Sequence, residues 1–209
     1  MIARFLKNHL LSSSVLLLAA CSGGNVTIGV NIPDLPPELF SESVTSMGVI
    51  SGLNSVAVNE VLYDTHTATV VLNGRTRSID DLAPGQYVQV EGLIRAPGFQ
   101  GTARHINVDA NVIGPIDAID PTIDQLVVLG QVISTGPQTV FGPGIDPASF
   151  AGLSVGSNVQ VSGFSTANGR IAATRIELDP GGTRTQVIGS VWGLDIANML
   201  FHIGDLTID

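Results

Sequence analysis

The chain has 209 residues, a length that allows one or two domains. Hydrophobic residues make up 44%, enough for a core, while aromatics are only 5% and Gly (24) and Pro (11) are frequent. That mixture, rich in Val, Ile and Thr, points to short strands and many turns rather than helices. The formal charge is −9, and an acidic surface repels phosphate backbones, which excludes a nucleic-acid partner.

Residues 1–20 read as a signal peptide. Arg4 and Lys7 form a positive end, and Leu10 to Leu18 form an apolar run interrupted by Ser12-Ser13-Ser14. That run falls well short of the roughly 20 residues needed to span a bilayer. Leu18-Ala19-Ala20-Cys21 matches the lipobox of bacterial lipoproteins. The resemblance implies cleavage before Cys21 and acylation of that cysteine, and Ser22 in place of Asp favours the outer membrane. Cys21 is the only cysteine, so no intramolecular disulfide is possible. After cleavage seven Arg face 18 carboxylates, a charge of −11. Residues 21–43, with Gly23-Gly24, Pro33 and Pro36-Pro37, read as a flexible tether.

Beyond the tether the sequence repeats itself. Val88-Gln89-Val90-Glu91-Gly92 recurs as Val159-Gln160-Val161-Ser162-Gly163, and Ala103-Arg104-His105-Ile106 recurs as Ala173-Thr174-Arg175-Ile176. Gly48, Gly114 and Gly189 mark three similar openings. Two full repeats are expected, at 44–110 and 111–180, followed by a linker and partial third repeat at 181–209.

Each full repeat predicts five strands. In the first they fall near Val44–Leu53, Thr67–Leu72, Arg75–Ile79, Gln86–Ile94 and Thr102–Val108. In the second they fall near Val112–Ile119, Gln125–Ser134, Gln138–Phe141, Asn158–Phe164 and Ile171–Leu178. Val88 and Val90 share one face, and Gln89 and Glu91 the other. In the last strand Ala172, Thr174, Ile176 and Leu178 are expected on one face, with Arg175 and Glu177 facing outward. A helical turn is expected between the third and fourth strands. It spans Ser78–Leu82 in repeat one; in repeat two Asp146 caps it and Pro147 opens it. This is the layout of an OB-type barrel, so the fold class is all-β, as tandem small OB-like β-barrels; small β-sandwiches are the competing architecture.

The segments NEVLYDTHTATVVLNG, DLAPGQYVQVEG and DQLVVLGQVISTGPQTVF resemble the repeated domain of bacterial domain-of-unknown-function family 5666. The resemblance runs from Val44 to Asp209 and implies envelope lipoproteins built of tandem small β-barrels, with no catalytic motif. At the C-terminal end, VIGSVWGLDIANMLFHIGDLTID resembles the first two strands of a further repeat. Either the natural chain is longer, or this hairpin docks on repeat two.

Candidate chemistry is sparse. Gly152-Leu153-Ser154-Val155-Gly156 fits the G-x-S-x-G pattern of hydrolases, but a strand is expected after it where that motif needs a helix. No catalytic residue is assigned. Asp117, Asp120 and Asp124 are the candidate Ca²⁺ ligands, set against ordinary turn chemistry around Pro121. His66, His105 and His202 lack metal-ligand spacing and are expected to be exposed and without function. Trp192 and Phe201 are expected in the core of the partial repeat. Arg75, Arg77, Arg95 and Arg104 are expected to pair with carboxylates, a basic face for an anionic glycan being the alternative.

The expected function is a membrane-anchored envelope lipoprotein whose non-catalytic barrels bind a protein or a glycan. A purely structural spacer, or an enzyme with a site between the repeats, are the alternatives. No cofactor is implied.

Overall fold

The computed structural model describes residues 41–52, 56–95, 98–166, 169–182 and 184–209, all of them in one compact unit. The expected signal peptide, Cys21 and all of the expected tether before Ser41 lie outside the described residues.

Repeat one holds seven strands. They are β1 (Ser41–Val49), β2 (Val56–Val58), β3 (Val61–Asp64), β4 (Thr69–Leu72), β5 (Arg75–Arg77), β6 (Tyr87–Arg95) and β7 (Gln100–Val108). The sheet runs β1-β6-β7-β3-β2, with β3 parallel to β7. A hydrogen bond from the Ser51 N–H to the Ala57 carbonyl, 3.1 Å long, bridges the remaining gap beside β2. The β4–β5 hairpin leaves the ring by pairing β4 with the far half of β7. Repeat two holds β8 (Val112–Asp120), β9 (Gln125–Val128), β10 (Gln131–Ser134), β11 (Val140–Phe141), β12 (Asn158–Ser165) and β13 (Ile171–Leu178). Its ring closes fully: β8 pairs β9, β9 pairs β10, β10 runs parallel to β13, and β12 joins β13 to β8. Five strands in this order, with the third parallel to the fifth, make an OB-like barrel. The sandwich alternative is excluded by that closure.

Alternation builds each core. Val88 and Val90 are buried in barrel one, Val159 and Val161 in barrel two. Tyr63 fills the first barrel, and Ile116, Leu126 and Ile133 fill the second, all at most 1% exposed. Each barrel carries a short 3-10 turn before its fourth ring strand, at Ile79–Asp81 and Phe150–Gly152. The first has a capping box from Ser78 and Asp81. The second departs from expectation: it starts at Ser149 rather than Asp146, and no side chain caps it.

Three further expectations are corrected. The expected strand Gln125–Ser134 is two strands, because Leu129 and Gly130 both take positive φ (48° and 68°) and turn the chain sharply. Asn59 and Glu60 do the same between β2 and β3, which were not expected at all. Lastly, Arg175 does not face solvent; it is 7% exposed. A bulge also moves the core face of β13 away from Ala172 and Thr174. Ser162 pairs with Arg175 but Gly163 pairs with Ala173, so Thr174 is extra and the alternation resets across it. The core face of β13 is therefore Ile171, Ala173 and Ile176. Repeat one has the same bulge, at Glu91/Gly92, with Arg104 as the extra residue.

After barrel two, β14 (Gln186–Val187) adds to β8. A three-stranded sheet follows, made of β15 (Val191–Asp195), β16 (Leu200–Ile203) and β17 (Leu206–Ile208). It docks on the β9–β10 turn: Gln131 Nε2 donates to the Ile203 carbonyl at 2.6 Å, and the Asp205 N–H donates to the Gly130 carbonyl at 3.0 Å.

The barrels also touch each other. Asn73, 8% exposed, donates from Nδ2 to Gln160 Oε1 (2.7 Å) and accepts from the Ala110 N–H (2.8 Å). Arg175 pairs with Glu177 (2.7 Å) and donates to the Pro84 carbonyl (3.0 Å). Tyr87 meets Phe164 edge to face, with ring centroids 5.0 Å apart. The outward face of β13 is thus covered by barrel one, which is why Arg175 is buried.

Candidate functional site

Each barrel borders a groove, the first along the parallel pairing of β3 with β7, the second where the ends of β10, β12 and β13 face the third sheet. In barrel one, Leu62 and Asp64 of β3 stand opposite Gln100 and Thr102 of β7. The cavity there is about 420 Å³ and takes Asp64, His66 and Arg95 into its lining. His66 donates its backbone N–H to Asp64 Oδ1 at 3.0 Å, and its ring Nδ1 lies at the same distance from that oxygen. The backbone bond first, and the ring second, hold the Asp64 carboxyl below its usual range.

The groove of barrel two, about 410 Å³, lies between the barrel and the three-stranded sheet. Gln131, Ser165, Thr166 and Ile171 come from the barrel, and Trp192 and Asp205 from the sheet. Trp192 is 57% exposed, so it is not the core residue it was expected to be. Trp192, His202 and Thr207 form one cross-strand row, while Val191, Ile203 and Leu206 form the next row on the opposite face. The indole is fixed on that row: its Nε1 donates to the Gly204 carbonyl (3.0 Å), and His202 stacks on it with centroids 4.6 Å apart. His202 covers one face of the ring, so the exposure belongs to the other. Phe201 lies on the opposite side of the sheet and is half-buried.

The remaining candidates do not converge. Ser154 sits in an exposed turn that leads straight into β12, and its carbonyl accepts from Ser157. Asp117 lies in β8; Asp120 accepts from the Thr122 hydroxyl (2.6 Å) and N–H (3.0 Å); Asp124 takes a left-handed φ of 49° in the following turn. The hydroxyl bond first, then the N–H, lowers the Asp120 pKa. These are turn contacts. Among the described residues no group of three or more His, Cys, Asp or Glu is placed to hold a metal ion. His105 lies exposed on β7 beside Arg104 in a separate cavity.

The four arginines of repeat one neither share a face nor pair as expected. Arg95 lines the barrel-one groove, Arg104 another cavity, and Arg75 and Arg77 a third. Among the described residues the one ion pair made by an arginine is Arg175–Glu177. Sequence reasoning missed Gln131, Ser165, Thr166 and Asp205 because they meet only when the third sheet docks; no local motif marks them.

The fold and its grooves define a protein of tandem OB-like barrels. The model of the domain of unknown function DUF5666 matches residues 43–107 and 113–177, together more than half of the chain. The chain belongs to that family. No curated protein and no solved structure matches it.

Proposed function

We propose that this chain is an envelope lipoprotein, held to the membrane through acyl chains on Cys21, whose barrels are non-catalytic binding modules, and that the groove beside Trp192 takes a neutral glycan. One observation carries the reading. An indole that is more than half exposed is nevertheless fixed in place, by a hydrogen bond to the Gly204 carbonyl and by His202 stacked on one face, in a groove beside Ser165, Thr166 and Asp205. A rigid aromatic side chain left exposed in a polar groove suits ligand binding better than spacing, which needs no such surface. OB barrels bind oligosaccharides on a surface that includes the third strand and the loop after the fourth, to which Gln131 and Thr166 belong.

The ligand class follows from the lining. A fixed, half-free indole offers a flat apolar surface for the C–H face of a sugar ring, and the hydroxyl, amide and carboxylate groups around it suit sugar hydroxyls. The net charge of −9 disfavours an anionic chain in this groove. The volume of about 410 Å³ lies within the usual range of small-ligand sites.

Trp192 is the only tryptophan, so intrinsic fluorescence reports on the groove directly. The full chain is titrated with neutral oligosaccharides of glucose, mannose and N-acetylglucosamine. A saturable change in emission is expected for at least one. Trp192→Ala, checked for folding by circular dichroism, should weaken that ligand about tenfold by a glycan array read at several concentrations, the scale of a lost aromatic stack. No saturable change with any neutral sugar removes the reading.

A further inference from the structure

Arg75 and Arg77 occupy alternate positions of β5, so both side chains leave the strand on one side. They line a cavity of about 220 Å³ at the junction of the barrels, and Arg184, from the segment after barrel two, lines it as well. Three of the chain's nine cations therefore meet in one concavity of an acidic protein. Asp179 is the carboxylate in the lining, and it makes no ion pair with any of them within 4.0 Å.

Arg184 is held in place. Its Nη1 donates to the Asn73 carbonyl at 2.6 Å, and its Nη2 donates to Gln186 Oε1. Those bonds use part of a guanidinium that has five donors. Among the described residues the side chains of Arg75 and Arg77 have neither a hydrogen-bond nor an ion-pair partner. With 18 carboxylates in the chain, this is not for want of acids. Like charges gathered this way repel one another, and an anion between them relieves the repulsion.

We propose that Arg75, Arg77 and Arg184 form a binding site for one small oxyanion, of the size and charge of inorganic phosphate. Guanidinium groups offer paired N–H donors that match the oxygens of phosphate or sulfate. The cavity is smaller than the roughly 300–1,000 Å³ of drug-sized sites, which suits a single charged group rather than a chain. Its walls come from the β4–β5 hairpin, from Ile113 and Gln160 of barrel two and from Arg184, so a bound anion ties all three together. The site is separate from the Trp192 groove and stands without it.

The test is a titration of the isotope-labelled full chain with inorganic phosphate at constant ionic strength, followed by the side-chain Nε–H resonances of arginine. Arg75, Arg77 and Arg184 should move along one saturating curve. Arg95 and Arg104, also exposed and unpaired among the described residues, act as controls inside the same molecule and should not saturate. Arg77→Gln should weaken the curve read at Arg75 and Arg184 about tenfold, the scale of one lost charge-assisted pair. If all five arginines drift together without saturation, or if Arg77→Gln leaves the curve unchanged, the site does not exist.

Discussion

A Cβ on Gly163 would run into the carbonyl oxygen of Ala172, and one on Gly92 into that of Thr102. Both glycines follow the bulge of their barrel, where two strands come too close for a side chain. The repeated VQV-x-G phrase is therefore a packing constraint that the sequence displays twice. Gly163→Ala should cost about 2–4 kcal/mol, the range of backbone strain and local repacking, measured by urea unfolding. A cost no larger than that of an exposed substitution would show that the ladder simply shifts. Asp120 behaves differently, since its contacts are local and exposed. Bonds from Thr122 favour its ionised form and lower its pKa in the folded state. Its contribution is thus complete above the ordinary aspartate value and is lost as pH falls through the lowered one. An NMR titration of the Asp120 carboxyl should give a midpoint below that of a model aspartate, and Thr122→Val should bring it back up. An unchanged midpoint in Thr122→Val would rule out the hydroxyl bond as the main cause.

At the level of elements, the third sheet contrasts most with the barrels. Val191, Phe201, Ile203 and Ile208 pair as Ile116, Leu126, Val128 and Ile133 do in barrel two. The barrel residues are at most 1% exposed, whereas Val191 is 55% exposed. Few buried apolar contacts hold this sheet, so its polar contacts to the barrel carry more of its stability. Gln131 is the main one, almost fully buried and bonded to the Ile203 carbonyl. Gln131→Ala should raise hydrogen exchange in β16 and β17 about tenfold or more while β12 and β13 stay protected, since a buried hydrogen bond is lost on one side. Equal protection in variant and parent would show that other contacts fix the sheet. Docking on repeat two was an alternative readable from the sequence, and so were the ring strands β1, β6, β7, β8, β12 and β13, whereas β2 and β3 were not. The β9–β10 hairpin was not readable, because a leucine and a glycine make its turn and Leu129 continues the apolar run of the strands. Asn73-Gly74 is the opposite case. That dipeptide takes positive φ at both positions and closes the β4–β5 hairpin, a signal visible in the sequence that also fixes the residue at the centre of the barrel junction.

On the scale of the whole molecule, repetition in the sequence carries straight through to two like barrels, whereas the sites arise only where units meet. The Trp192 groove needs barrel two and the third sheet, and the arginine cavity needs both barrels and the segment after them. No periodicity or motif within one repeat encodes such a meeting, which is why Arg184 and Asp205 carried no signal. The same separation applies to the proposed membrane attachment. A chain cut before Cys21, as proposed, sets seven Arg against 18 carboxylates, a balance that anionic headgroups repel, so the proposed attachment rests on the acyl chains expected on Cys21. Cys21→Ala should then lose both labelling by a palmitate analogue and recovery in the outer-membrane fraction. Ligand binding at the Trp192 groove should persist in the released protein, because no barrel residue takes part in anchoring. If the variant is labelled and fractionates as the parent does, the lipobox reading is wrong and the protein reaches the membrane, or leaves it, by another route.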